Sequence, residues 1–350
     1  MALPQIPFFR KYSIFFKAII IGGILGFFYG IITDVISTYE HLGFLPGIII
    51  GISVGFIVIV FEKLFFKLNS YPFLVAMLIK AFIYSISILI VLILCVIGFT
   101  ELLGENIYRE GLNIYIKNRL AGDFLFSLSA SIFLILFLEV SSLLSSRFFL
   151  NYFTGRYHHP VQEERIFMFV DVKSSTTIAE QLGDIQYSKL LQDLFNDFTD
   201  AILASRAEIY QYAGDEIILT WKTALGLKEQ RCLYCFYLLK NSIELKKEHY
   251  LNSYNLIPKF KAGMHIGTAV TAWVGKVKKE VVYHGDLLNT ASRIQTKCNE
   301  LHHDFLISEA VKLAVEQDSV IHYHQKGEIE LRGKAHPLKL FSVDFTIDKF

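Results

Sequence analysis

Two acidic residues, Asp171 and Asp215, each close an apolar, strand-like run. Phe169-Val170-Asp171-Val172 leads into Lys173-Ser174-Ser175-Thr176, and Tyr212-Ala213 leads into Gly214-Asp215-Glu216. Carboxylates on neighbouring strand ends, beside a Ser/Thr-rich turn that opens a helix, give hard oxygen ligands next to free backbone amides. A pair of Mg²⁺ ions holding a triphosphate requires this arrangement. The plain alternative is that both aspartates cap turns. Further on, Asn289-Thr290-Ala291-Ser292-Arg293 sets an amide and a guanidinium four residues apart, on one face of a helix.

The elements that must position these residues follow from periodicity. Ile166 to Val170 reads as a buried strand, and Thr176 to Ser205 as a long helix with a weak point at Gly183-Asp184. Glu208 to Tyr212 and Ile217 to Trp221 read as a hairpin turning on Gly214-Asp215. A helix from Thr223 to Tyr250 comes next, then strands over Lys259 to His265, Ala269 to Val274 and Val281 to Tyr283. Asp286 to Asn299 reads as a helix, and Phe305 to Asp344 as short strands around one short helix. Hairpins beside helices make this an α+β pattern rather than alternating β and α units.

Over Arg165 to Val343 the order of elements and the three motifs together resemble the class III nucleotide cyclases, whose catalytic domain has a ferredoxin-like core. The resemblance implies that Asp171 and Asp215 bind two Mg²⁺ or Mn²⁺ ions, with the Val172 carbonyl completing the shell. Amides from Lys173, Ser174, Ser175 and Thr176 would face phosphate oxygens. Arg293 would stabilise charge on the α-phosphate and Asn289 would orient the ribose. Lys261, and Arg332 or Lys334, match basic positions at the terminal phosphates. Family members place the aspartates and the Asn/Arg pair on opposite sides of a dimer interface, so the resemblance implies a homodimer with shared sites. ATP is the expected substrate and cyclic AMP the product. The two base-reading positions, Gln211 and Val282, depart from the lysine and Asp or Thr usual in adenylyl members, and a cyclase using GTP or a pyrimidine nucleotide is the alternative.

The 144 residues up to Leu144 are of a different kind. Apolar runs over Ala18 to Thr33, Leu45 to Phe61, Phe73 to Phe99 and Phe124 to Leu144 read as four transmembrane helices. Lys and Arg near Arg10, Lys63 and Arg147 put both termini on the cytoplasmic side of the inner membrane. The expected architecture is an α-helical transmembrane bundle over 1–150, a linker over 151–164 marked by His158, His159 and Pro160, and an α+β ferredoxin-like cyclase domain over 165–350. Lys80 and Glu139 interrupt the third and fourth spans and are expected to pair near the cytoplasmic edge, fixing the register of the helix that leads into the cytoplasmic domain; the alternative is that Lys80 reaches the interface and Glu139 is protonated or wet.

A net charge of +1 lends no support to a nucleic-acid surface. Cys232 and Cys235 form a lone CxxC in a helix-like stretch, which reads as one packed face rather than a metal site. Two rival functions remain. The turn at Tyr212 to Glu216 is similar to the signature of diguanylate cyclases, which lack the later Asn/Arg helix. A non-catalytic membrane receptor with a degenerate cyclase fold would have lost Asp171, Asp215 or Arg293, and all three are present.

Overall fold

The computed structural model describes residues 155–315, 320–330 and 337–346, the stretches 72–103 and 120–143, and isolated helical residues at 117 and between 19 and 56. The chain divides into two compact units, one over Phe8–Phe149 and one containing Leu150–Phe350.

In the first unit, α1 (Phe73–Leu103) and α2 (Leu120–Leu143) are uninterrupted apolar helices. Phe73–Val91 and Leu120–Phe137 are long and apolar enough to cross a membrane. The two helices pack through Met77, Ala81, Tyr84, Leu134 and Ile135, whereas Leu74, Leu78, Phe82, Leu94 and Leu125 stay exposed. Two of their buried serines return hydroxyls to their own helix, Ser85 to the Ala81 carbonyl at 2.7 Å and Ser127 to that of Phe124 at 2.9 Å. Lys80 is half-buried on α1 and Glu139 exposed on α2. The first two expected spans lie largely outside the described residues.

The second unit runs β1 (Val161–Val172), α3 (Ser175–Leu182), α4 (Asp184–Asp197), α5 (Thr199–Ala204), β2 (Glu208–Ala213), β3 (Glu216–Lys222), α6 (Thr223–Leu227), α7 (Arg231–Leu245) and α8 (Lys247–Tyr254). It continues through β4 (Phe260–Val274), β5 (Glu280–His284), α9 (Asp286–Glu300), β6 (Phe305–Ser308), α10 (Glu309–Ala314), β7 (Ile321–Ile329) and β8 (Leu338–Phe345). The sheet order is β2-β3-β1-β4-β6-β8-β7, with β5 paired to β4. The first four strands in that order are the ferredoxin-like βαββαβ arrangement, and only the β4–β6 pair is parallel.

Alternation along β1 sets the two layers. Ile166, Met168, Val170 and Val172 pack with Leu190 and Leu194 of α4 and Cys232, Phe236 and Leu239 of α7. Phe167 and Phe169 point the other way, under Leu287 and Ala291 of α9. Because both faces are covered, the strand reads as a continuous apolar run.

Several elements differ from expectation. β1 begins at Val161, inside the expected linker, because its polar residues are satisfied within the sheet. Arg165 is only 2% exposed and pairs with Glu163 and Glu208, each at 3.2 Å. The long helix after Asp171 breaks at Gly183, the weak point the sequence marks, whose φ of 74° only glycine adopts without strain, and divides again before Thr199, which is the unexpected break. The next helix divides into α6, a short 3₁₀ turn, α7 and α8, with Glu229 and Gln230 at positive φ. The two strands expected over Lys259 to His265 and Ala269 to Val274 are a single β4. His158 and His159 are exposed.

Candidate active site

β1 and β4 run antiparallel, and their register puts Asp171 opposite Lys261; on the other side, β3 puts Glu216 opposite Asp171. Lys261 Nζ stands 3.2 Å from Asp171 Oδ2. Asp215 occupies the turn between β2 and β3, where Gly214 takes a φ of 65°. The three carboxylates therefore gather at one end of the central strands, with the Lys261 ammonium against them.

Their electrostatics record the crowding. Burial raises the Asp171 pKa, and the neighbouring Asp215 charge adds to this against the opposing contact with Lys261. Glu216 is pushed up to about 7, first by burial and then by the charges of Asp171 and Asp215. One lysine does not offset three acids in a half-buried site. The hydroxyl of Tyr187 is buried near this cluster beside Ser175, and burial followed by the Asp215 charge raises its pKa. A hard divalent cation fits such a donor set, since it takes carboxylate oxygen and relieves the mutual repulsion. Among the described residues no three His, Cys, Asp or Glu side chains are placed so that they could jointly hold a metal ion. A site built on two protein carboxylates, with substrate oxygens and water completing the shell, needs no third such side chain.

The turn after β1 places Ser174 in the left-handed region, at φ 55°, just before α3. The Lys173 amide donates to the Lys259 carbonyl at 2.8 Å, so the ladder reaches one residue beyond β1 and the amides that can face an anion begin at Ser174. The Lys173 side chain is also engaged, in an ion pair with Asp304, which Lys240 joins at 3.2 Å. Lys261 is 8% exposed, and its ammonium pairs with Asp171. Arg332 and Lys334 lie outside the described residues.

Helix α9 carries two sets of polar residues. Asn289 and Arg293 lie on its exposed stripe, while Leu287, Ala291 and Ile294 are buried. Gln295, two residues past Arg293, is turned about 200° around the axis and points into the protein, where Nε2 donates to Asp171 Oδ2 at 2.8 Å. The motifs single out neither Gln295 nor Glu216. Glu216 had a signal in its strand position next to Asp215, whereas nothing local marks Gln295. Gln211 is exposed on β2, beside a register shift between Ile209 and Gln211, and Val282 is half-buried on β5.

A ferredoxin-like sheet with paired acids at the end of its central strands, and an Asn/Arg helix facing outward, defines a nucleotide cyclase catalytic domain. Residues 158–344 match the model of the adenylate and guanylate cyclase catalytic domain, more than half of the chain, and the chain belongs to that family. It is 32% identical over 218 residues to Adenylate cyclase 2 of Rhizobium meliloti (strain 1021), covering 62% of this chain and 60% of that protein. Adenylate cyclase 1 of the same organism is 24% identical over 185 residues, or 52% of this chain and 28% of that protein. The chain thus spans less than two thirds of the length of the curated relatives it matches. A solved bacterial light-regulated adenylyl cyclase shares the fold with a TM-score of 0.55 at 16% identity, covering 65% of this chain and 66% of that one.

Proposed function

We propose that this chain is a membrane-anchored adenylate cyclase that converts ATP to cyclic AMP and pyrophosphate as a homodimer. The observation that carries this reading is the convergence of Asp171 and Asp215, with Glu216, in a site more acidic than Lys261 alone offsets. The similarity to Adenylate cyclase 2 supports ATP as substrate.

Asp171 and Asp215 hold two Mg²⁺ or Mn²⁺ ions, with the Val172 carbonyl as a further oxygen. When bound, these ions neutralise phosphate charge and acidify the ribose 3′-hydroxyl that attacks the α-phosphate. Amides of Ser174, Ser175 and Thr176 at the start of α3 orient phosphate oxygens, because the first N–H groups of a helix have no partner within it. Asn289 and Arg293 project from the exposed stripe of α9, away from the Gln295 side that touches Asp171. A second copy therefore supplies them, its amide orienting the ribose and its guanidinium stabilising charge on the α-phosphate. Gln211 offers the base an amide that both donates and accepts, and Val282 packs against it.

The apolar outer surfaces of α1 and α2 support anchoring in the inner membrane as part of a multi-pass bundle, with the catalytic unit cytoplasmic.

Incubating the full-length protein in detergent with ATP, GTP, CTP or UTP and Mg²⁺ or Mn²⁺, and identifying products by mass spectrometry, tests the reading. Cyclic AMP from wild type and none from Asp171→Ala is the expected result. A different cyclic nucleotide would overturn the substrate, and no product from a folded dimer would overturn the activity.

A further inference from the structure

Gln295 is 5% exposed and its side-chain nitrogen lies 2.8 Å from Asp171 Oδ2, across 124 residues of sequence. Lys261, 8% exposed, reaches the same oxygen at 3.2 Å. Burying an amide costs free energy unless it is hydrogen-bonded, and here the bond is to a carboxylate, which makes it a charge-assisted one. Both contacts are to Oδ2.

The backbone holds Gln295 at this spot. A Cβ on Gly263 would fall 2.1 Å from the Gln295 amide nitrogen and 2.5 Å from its Cα. Only glycine at this point of β4 lets α9 sit so close that a side chain of glutamine length reaches Asp171. Opposite Gly263 in β1 stands Phe169, two residues before Asp171, so the close contact and the hydrogen bond belong to one rigid corner of the fold.

From this geometry we infer that Gln295 is a positioning residue for Asp171: with Lys261 it fixes Oδ2, so that Oδ1 is the oxygen that takes the divalent ion. This rests on the metal-binding role proposed for Asp171. Without the amide the carboxylate is free to turn toward Lys261 alone, and the ion loses a preset ligand. Partners that orient a metal ligand in this way typically contribute about 10- to 100-fold in metal affinity.

The test is Mn²⁺ binding to the full-length protein in detergent, followed by electron paramagnetic resonance without nucleotide, for wild type, Gln295→Met and Asp171→Asn. Methionine nearly matches glutamine in volume and has no donor, so α9 keeps its packing. The expected result is Mn²⁺ affinity about 10-fold weaker in Gln295→Met, with melting temperature kept and, in turnover, a lower kcat at little changed nucleotide KM. Wild-type Mn²⁺ affinity in Gln295→Met, combined with loss of binding in Asp171→Asn, would overturn the role of Gln295 and leave the metal site standing. Unaltered binding in Asp171→Asn would overturn the metal site itself. Gln295→Leu, also without a donor, carries the same comparison if the methionine variant does not fold.

Discussion

Lys261 Nζ and Asp171 Oδ2 lie 3.2 Å apart, at paired positions of adjacent antiparallel strands. The pair is mostly buried, with side-chain exposures of 10% and 20%, and Glu216 adds a further acid on the opposite flank. Removing the cation from a buried pair leaves an uncompensated charge, which costs about 3 kcal/mol. Lys261→Met is therefore expected to melt well below wild type in EDTA, and to regain more of its stability than wild type does when Mn²⁺ is added. Thermal unfolding with and without the ion checks this. An unchanged melting temperature in EDTA would show that Lys261 does not neutralise the cluster.

Gly263→Ala should be among the most disruptive small substitutions in the protein. Its Cβ would meet backbone of Gln295, with the Ala291 carbonyl oxygen at 2.7 Å, and no side-chain rotation relieves a backbone clash. Overpacking of this kind costs about 1–3 kcal/mol in ordinary cores, and a backbone partner puts this site at the upper end. The expected outcome is a clear drop in melting temperature together with loss of cyclase activity. Retention of both would show that α9 can move off β4 without consequence.

These two sites show what the sequence makes legible and what it hides. The strand bearing Asp171, the hairpin bearing Asp215 and the helix bearing Asn289 and Arg293 are local patterns, visible as an apolar run, a glycine turn and an i, i+4 pair. The early start of β1 is hidden because Glu163, Glu164 and Arg165 look like surface residues. Glu164 is exposed, whereas Arg165 is held by Glu163, Glu208 and the Tyr283 ring 4.7 Å from its guanidinium, and Glu163 is bonded by Arg156 and Tyr157 as well. That Lys261 stands opposite Asp171 follows from the β1–β4 register, which no local pattern shows. Gln295 carries no local mark, since its role depends on how closely α9 approaches Gly263.

Asp193 links α4 to α8, and it makes stability depend on pH. Burial raises its pKa, but the hydrogen bond from Tyr254 Oη at 2.6 Å and the contact with His249 Nε2 at 3.1 Å outweigh this and leave it lowered. A carboxyl depressed in the folded state stabilises above its unfolded pKa of about 3.9 and loses that contribution as pH falls through the folded value. Tyr254→Phe should thus be less stable than wild type at pH 7 by about 1–2 kcal/mol, with the difference shrinking below about pH 4. Denaturant unfolding at several pH values measures it. A difference that stayed constant down to pH 3 would separate Tyr254 from the ionisation of Asp193.

Cys232, Cys235 and Cys298 are buried free thiols. Burial pushes each up to about 12, and the thiolate, the reactive form, is scarce at neutral pH. Cys232 and Cys235 face the core of α7 among Leu233, Phe236 and Leu239. The native protein should react with a thiol reagent at none of these three positions until denaturant is added, and a zinc chelator should leave its melting temperature unchanged. Mass mapping of labelled peptides before and after unfolding reads the first expectation directly. Rapid native labelling at Cys232 or Cys235 would restore a redox or metal role to the pair.

Arg293 and Gln295 leave α9 in nearly opposite directions, one toward solvent and the other to Asp171 of the same chain. If a site takes its aspartates from one copy and Arg293 from the other, Asp171→Asn and Arg293→Ala damage different halves of it. Each variant alone should fall by about 10²-fold or more, since each removes a metal ligand or a contact made in the transition state. Co-expressed in equal amounts, half of the dimers pair one variant with the other, and one of their two sites is then intact. Activity should recover to about a quarter of wild type, given random pairing in a two-fold dimer. Recovery near that level requires sites shared between copies. Failure to recover, with mixed dimers verified by two affinity tags, would place Arg293 and Asp171 in the same chain's site and remove the reason for a dimer.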